Sequence, residues 1–256
     1  MNRRFLSAEW RHLLMLNYEV DPDVLRPLVP HGTELDSWNG KTLMSLVGFR
    51  FLKTRLLGVP IPFHRNFDEL NLRFYVRRYF GGEWRRGVVF VKEIVPKWAI
   101  AAVAQWIYNE NYVCLPMDSK IQLPDPSKGL GGTVEYGWGK RPARNSIRAE
   151  FAGEPSLPGA GSQEEFITEH YWGYALQRQG TALEYGVQHP QWRVWQATSA
   201  HLECDVETCY GRRFCDALGR EPSSAFVAEG SAVTVLQGDP LPKSAVSATA
   251  GTSSIG

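Results

Sequence analysis

Cysteine is scarce in this chain, confined to Cys114, Cys204, Cys209 and Cys215. Over 256 residues that is too few for the disulfide framework of a small secreted domain, and it suits a reducing compartment. An excess of one charge sign is also missing. Lys and Arg number 28 against 27 Asp and Glu, a formal net charge of +1, so no nucleic-acid partner is expected. Long apolar runs are absent. The longest apolar-leaning stretch, Trp98 to Ile107, falls far short of the ~20 residues a membrane-spanning helix needs, so no membrane partner is expected either. Met1 to Trp10 carries Arg3, Arg4 and Glu9 instead of the apolar run of a leader. The expectation is a cytoplasmic protein; homo-oligomers stay open.

Familiar catalytic signatures are lacking as well. There is no G-x-S-x-G, no P-loop and no G-x-G-x-x-G, which removes local support for hydrolase, nucleotide and dinucleotide readings. The six histidines show no H-E-x-x-H spacing and the cysteines no C-x-x-C, so neither a metal site nor a cofactor is expected.

What the chain does hold is rings. Nine Trp, ten Tyr and twelve Phe suit β-structure or an aromatic-lined pocket. Leu13 to Val20 reads as a strand, with Phe5 to His12 a turn of helix or a loop. Asp21-Pro22 is an N-cap followed by Pro at N1, so a short helix starts there and stops at Pro30-His31-Gly32. Leu35 to Leu52 reads as a hairpin turning at Asn39-Gly40. Further strand pairs are predicted at 132–136 with 146–151 and at 183–188 with 192–200. His201 to Tyr210 continues the last of these, and 226–236 is a final strand. Ser162-x-x-Glu165 is a capping box opening a helix to about Tyr174.

The stretch from Glu69 to Gln105 carries the most information. Leu70, Leu72, Phe74 and Val76 alternate with Asn71, Arg73, Tyr75 and Arg77, the period of a half-buried strand. Gly81-Gly82 supplies the turn. Pairing outward from it sets Phe74 opposite Val89, Leu72 opposite Val91 and Leu70 opposite Glu93, so Glu93 falls on the leucine face. Pro96-Lys97 then opens an alanine-rich helix.

A lysine at a helix start feels the positive helix end, and an apolar pocket disfavours its charge further; both free an amine for Schiff-base chemistry. Lys97 is therefore a candidate nucleophile and Glu93 a candidate acid or base. An exposed first-turn lysine and an arginine-paired acid explain the same spacing. Of the hairpin arginines, Arg77, Arg78, Arg85 and Arg86 read as a solvated edge guard. Arg73, deeper in the sheet beside Tyr75, is the one that suits a ligand.

Several segments together resemble a bacterial family filed as domain of unknown function 2071, itself similar to acetoacetate decarboxylase. They are W-R-H-L-L-M-L-N-Y-E-V-D-P-D-V-L-R-P-L-V-P, E-L-N-L-R-F-Y-V, G-V-V-F-V-K-E-I-V-P-K-W-A-I-A, G-S-Q-E-E-F-I-T-E-H-Y and V-Q-H-P-Q-W, spread from Phe5 to Leu236. The resemblance implies an α+β fold: an antiparallel, strongly curved β-sheet or barrel-like core with about three helices. It also implies a small-molecule ligand inside the sheet. Lys97 matches the decarboxylase's Schiff-base lysine and Glu93 a glutamate of the same segment, giving the catalytic candidates. Arg11 matches an N-terminal arginine and joins Arg73 and Tyr75 as substrate-binding candidates. The decarboxylase has two adjacent lysines, whereas Lys97 is followed by Trp98.

The sequence thus predicts one domain over residues 1–236 and a disordered tail over 237–256, rich in Pro, Ser, Thr, Ala and Gly. Its expected function is a pocket for a small organic, keto-type acid. A cofactor-independent Schiff-base lyase or decarboxylase using Lys97 is one alternative, and a non-catalytic interaction module the other.

Overall fold

The computed structural model describes residues 3–60, 62–97, 111–140, 142, 144–177 and 181–241. Two long strands come first: β1 (Arg4–Glu19), then, after two short strands β2 (Glu34–Leu35) and β3 (Ser37–Trp38), β4 (Lys41–Leu56). A two-residue strand β5 (Val59–Pro60) folds back on β4, and β6 (Phe67–Phe80) and β7 (Glu83–Val95) form the central hairpin. Then come β8 (Tyr112–Cys114), β9 (Met117–Gln122), β10 (Gly132–Trp138) and β11 (Asn145–Phe151). The chain continues with β12 (Trp172–Leu176), β13 (Ala182–Gln188), β14 (Val194–Glu203), β15 (Ser224–Leu236) and β16 (Asp239–Pro240).

Seven of these close on themselves in the order β13-β12-β7-β6-β4-β1-β15, sealed where Val187 and Gln188 pair with Val235 and Thr234. All seams are antiparallel except β12 on β7, where Trp172 and Gly173 run parallel to Gly87 and Val88. The sheet continues from β15 through β14, β11 and β10 to β9, and this extension folds over the outside of β4 and β1. Gly48 on β4 has no side chain because the Tyr136 ring of β10 occupies that space; a Cβ there would lie 2.6 Å from the ring. The strongly curved, barrel-like sheet expected from the sequence is what forms.

Two cores follow from this closure. One lies inside the barrel, with Leu13, Met15, Val47, Phe49, Phe226 and Ala228 pointing in. The other lies between the barrel wall and the folded-over sheet, and holds Leu14, Leu16, Leu70, Leu72, Phe74, Tyr136 and Trp138. Strands β1, β4 and β6 are therefore buried on both faces. That corrects the half-buried reading of β6: its leucine face packs outward on the second sheet, and its Asn71-Arg73-Tyr75 face looks into the barrel.

The hairpin turns at Gly81 and Gly82, with φ of 64° and 90°, as expected. Phe74 does oppose Val89, but Arg73 opposes Phe90 and Leu72 opposes Lys92, leaving Val91 as an extra residue. This bulge reverses the faces beyond it. Glu93 consequently stands opposite Asn71, not Leu70, and belongs to the inner face. Lys92, which unbroken alternation would set on the face of Arg73, instead points to the Tyr210 ring, 5.7 Å away.

The arginines are less solvated than expected. Arg78 (2.9 Å) and Arg85 both pair with Glu184 of β13, a buried carboxylate, while Arg86 holds Asp36 at 2.7 Å and Arg77 holds Glu34 at 2.7 Å. They tie the hairpin to β13 and to the β2 segment.

Helices are short. Asp21 caps α1 (Pro22–Leu25) by accepting from Asp23 N, and Ser162 caps α2 (Gln163–Thr168) by accepting from Glu165 N. α2 ends at Thr168, well before Tyr174, because Trp172 to Leu176 are drawn into the barrel as β12. Strand β14 stops at Glu203, and Val206–Tyr210 forms α3 instead of more strand, capped by Asp205. Cys215–Leu218 is a further short helix, α4. At the N-terminus the strand begins at Arg4 and not at Leu13; His12, at φ 55°, lets β1 bend around the barrel without ending. The helix expected after Lys97 lies outside the described residues. Within the tail expected from Gln237, β16 pairs with Leu183 and Glu184, and Leu241 is buried, its N–H donating to Ala182 O; residues 242–256 lie outside the described residues.

Candidate functional site

The barrel interior is not filled. A cavity of about 120 Å³ remains, similar in size to the ~150 Å³ engineered cavity that accommodates a benzene ring. Most of its wall is aromatic. Trp10 of β1 packs edge-on against Phe49 (5.3 Å between centroids) and Phe51 (5.7 Å) of β4, and Phe51 stacks on Phe67 of β6 at 4.7 Å. Trp192 closes the ring, 6.3 Å from Trp10 and stacked on His189 at 4.1 Å and 18°. Such contacts are worth ~0.5–1.5 kcal/mol each beyond area burial, so the wall is stiff as well as apolar.

Into this wall β6 inserts three polar side chains at alternate positions, Glu69, Asn71 and Arg73. Asn71 Nδ2 donates to Glu69 Oε1 at 3.2 Å. Arg73 is 9% exposed, and no carboxylate among the described residues forms an ion pair with it. Its Nη2 lies 3.8 Å from the Met15 sulfur, and its Nε has no hydrogen-bond partner. A buried guanidinium is expensive unless an anion compensates it.

The opposite wall comes from the end of α2 and the turn after it, where Ile167, Thr168 and His170 reach the cavity. His170 is fully enclosed: its Nε2 stands 3.4 Å from Asp36 Oδ2, its ring 4.7 Å from that of Tyr75, and neither ring nitrogen makes a hydrogen bond within the protein. Burial pushes its pKa down to about 4, against the opposing pull of Asp36, and the positive charges of Arg86 and Arg73 act in the same direction as burial. The imidazole is neutral at neutral pH. Asp36 itself is held below the usual carboxylate range: burial would raise it, but the nearby His170 ring and the hydrogen bond from Arg86 outweigh that. His189 is likewise lowered, chiefly by burial; its Nδ1 donates to Pro190 O at 2.9 Å.

Of the residues picked out in the sequence, Arg73 lines the cavity and Tyr75 stands beside it. The Tyr75 hydroxyl is 2.5 Å from Ser45 Oγ, which in turn donates to Asn17 Oδ1 at 2.6 Å, so the ring is locked in place. Glu93 is buried at 1% exposure on the same inner face of the sheet. Arg11 is committed elsewhere: it pairs with Glu9 at 3.0 Å, donates to Gly230 O at 3.1 Å, and does not line the cavity. Lys97 lies two residues past the end of β7, half-buried and off the cavity wall.

Sequence reasoning missed Glu69, Asn71, His170, His189 and the aromatic ring. For Glu69 and Asn71 the signal was present, since they alternate with Arg73 on one strand face; the face was simply taken for the solvated one. His170 and Asp36 are 134 residues apart in the chain, and no spacing announces such a pair. Among the described residues no cluster of His, Cys, Asp or Glu is arranged to hold a metal, and no helix is long and apolar enough to cross a membrane.

Comparison with known proteins adds a family and a fold. Residues 7–232 match the family described as an uncharacterized conserved protein, domain of unknown function 2071. The uncharacterized protein YqjF of Bacillus subtilis (strain 168) is 28% identical over 210 residues, 79% of each chain. Among solved structures, an acetoacetate decarboxylase-like enzyme from Sphingomonas wittichii superposes with a TM-score of 0.63 at 14% identity, over 93% of both chains. Acetoacetate decarboxylase from Legionella pneumophila gives 0.63 at 13% identity, covering 95% of this chain and 91% of its own. The enduracididine biosynthesis enzyme MppR complexed with pyruvate gives 0.64 at 13%, covering 96% and 93%. At these identities the likeness is one of fold.

Proposed function

Since the chain belongs to the family of domain of unknown function 2071 and has the acetoacetate decarboxylase-like fold, we propose that its barrel cavity binds a small organic acid of the keto type, with Arg73 as the anchor for the carboxylate. The observation that carries this reading is Arg73 itself, a buried guanidinium with no ion-pair partner among the described residues, on a largely apolar cavity wall that it shares with Glu69 and Asn71. A carboxylate supplies the missing counter-charge through two parallel N–H···O bonds, a geometry suited to arginine and not to lysine. The aromatic ring takes the apolar body of the acid, and the volume limits that body to a few carbon atoms. Tyr75, fixed by Ser45, holds the floor under the guanidinium, whose carbon is 5.8 Å from the Tyr75 ring centroid.

A second reading keeps the pocket and adds chemistry. Glu93 is buried on the inner face four residues before Lys97, which suits a lyase that forms a Schiff base on Lys97 and moves protons through Glu93. Pyruvate, 2-oxobutyrate and acetoacetate titrated calorimetrically into the protein test the first reading; heat of binding for at least one is the expected result. If none binds up to millimolar concentration, the pocket reading is wrong.

A further inference from the structure

The hydrogen-bonding capacity of His170 is unspent, although its ring is firmly held. The Tyr75 and Phe166 rings pack on it, with centroids 4.7 and 5.0 Å away. Asp36 lies behind it and does not line the cavity; its Oδ2 stands 3.4 Å from Nε2. That carboxylate is itself fixed, since Oδ1 accepts from Ser37 N at 3.0 Å and Oδ2 from Arg86 Nε at 2.7 Å. His170 is only 7% exposed, yet neither ring nitrogen has a hydrogen-bond partner among the described residues. The hydroxyls of Tyr75 and Thr168 are committed elsewhere, to Ser45 Oγ at 2.5 Å and Glu164 O at 2.7 Å. A polar group at that depth is costly to leave unmet.

The position of the proton decides which ligand group fits. The neutral imidazole has one N–H and one lone pair. A carboxylate only accepts, so the Nε2 that faces Asp36 keeps the proton; a lone pair there would meet a negative charge. Nδ1 is left as the acceptor. The two ring nitrogens point well apart, so Nδ1 turns away from Asp36 and toward the cavity. We propose that His170 Nδ1 accepts a hydrogen bond from a hydroxyl on the bound acid, so that the cavity prefers a hydroxy acid to the keto acid of the same chain length. The proposal rests on the reading of Arg73 as carboxylate anchor, and it extends the ligand class from keto acids to their hydroxy counterparts. A hydroxyl donates to Nδ1, whereas a keto oxygen sets lone pair against lone pair. Either oxygen can accept from donors elsewhere on the wall, so the difference between the two acids isolates the part played by Nδ1. Reach is not an obstacle. Both His170 (4.7 Å) and Arg73 (5.8 Å) stand against the Tyr75 ring, and the cavity measures only about 120 Å³.

The test is calorimetric titration of matched acids into the intact protein: each enantiomer of lactate against pyruvate, and each enantiomer of 3-hydroxybutyrate against acetoacetate. One ordinary hydrogen bond corresponds to about fivefold in affinity. At least one hydroxy acid is therefore expected to bind about fivefold tighter than its keto partner. His170→Phe, which offers no acceptor, should abolish that ratio, and His170→Asn, which returns an amide near the Nδ1 position, should restore part of it. Heteronuclear NMR of the His170 ring in the wild type needs no variant to fold. It should show an unprotonated Nδ1 whose resonance moves further with the hydroxy acid than with the keto acid. Equal affinity within both pairs, a ratio that survives in folded His170→Phe, or a protonated Nδ1 overturns this proposal alone. Binding of none of the acids overturns the carboxylate reading beneath it, and the proposal with it.

Discussion

Arg73 and His170 face one cavity from two elements, Arg73 from the middle of β6 and His170 from the turn after α2. They differ in how their buried polarity is met. His170 leans on Asp36 at 3.4 Å, and Asp36 is in turn held by Arg86 at 2.7 Å, so that side of the cavity is neutralised within the protein. Arg73 has no such partner among the described residues. Among the described residues, an anion entering the cavity therefore has Arg73 as the cation to meet, and the neutral imidazole offers a hydrogen-bonding neighbour.

Acid should weaken the fold through His170. Its folded pKa, about 4, lies below the ordinary imidazole value of 6.5. The folded state keeps it neutral while the unfolded chain takes up a proton, so stability is complete above pH 6.5 and falls as pH drops toward 4. A gap of that size corresponds to about 3 kcal/mol at most. His12 and His189 are lowered as well, chiefly by burial, and act in the same sense. Urea melts across this range should show the loss, and His170→Gln should flatten a good part of it. An unchanged slope in the variant would put the effect elsewhere.

Barrel closure depends on Gly87. It is the β7 residue that pairs with Val76 on one side and Trp172 on the other, and a Cβ there would lie 2.6 Å from Trp172 O and from the Tyr174 ring. Gly87→Ala should cost about 1–3 kcal/mol by overpacking, read as a lower midpoint in denaturant. Gly82→Ala at the exposed turn meets nothing within 4 Å and strains only a φ of 90°, so it separates loss of the seam from strain in the turn.

The lyase reading makes a sharper demand on Lys97. It is half-buried and off the cavity wall, so we expect borohydride with pyruvate or acetoacetate to leave no adduct on it. Lys97→Ala should then bind these acids as the wild type does. An adduct mass on the Lys97 peptide would establish the lyase reading over simple binding.

The sequence carried the local structure well. Asn39-Gly40, Gly81-Gly82, Asp21-Pro22 and Ser162 all stand at the turns and caps their chemistry called for. What it carried badly was the count of buried faces. Alternation in β6 marks two unlike faces but does not say that both are covered, because the second cover comes from β10 and β11, far along the chain. One unpaired residue, Val91, was enough to move Glu93 to the other side, and a bulge leaves no mark in side-chain periodicity until it is already past. Arg73 was picked out because, unlike the other hairpin arginines, it stands deep in the strand beside Tyr75; the His170–Asp36 pair was not, since only tertiary packing joins them.

The central claim is that Arg73 receives a carboxylate. Calorimetric titration of the same keto acids into wild type and Arg73→Gln tests it most directly, with Arg73→Lys as a check on geometry. Charge-assisted hydrogen bonds contribute about 1.5–3 kcal/mol, so the account predicts affinity at least about tenfold weaker in Arg73→Gln and only partly restored in Arg73→Lys. Equal affinity in wild type and Arg73→Gln, with both folded, would contradict it.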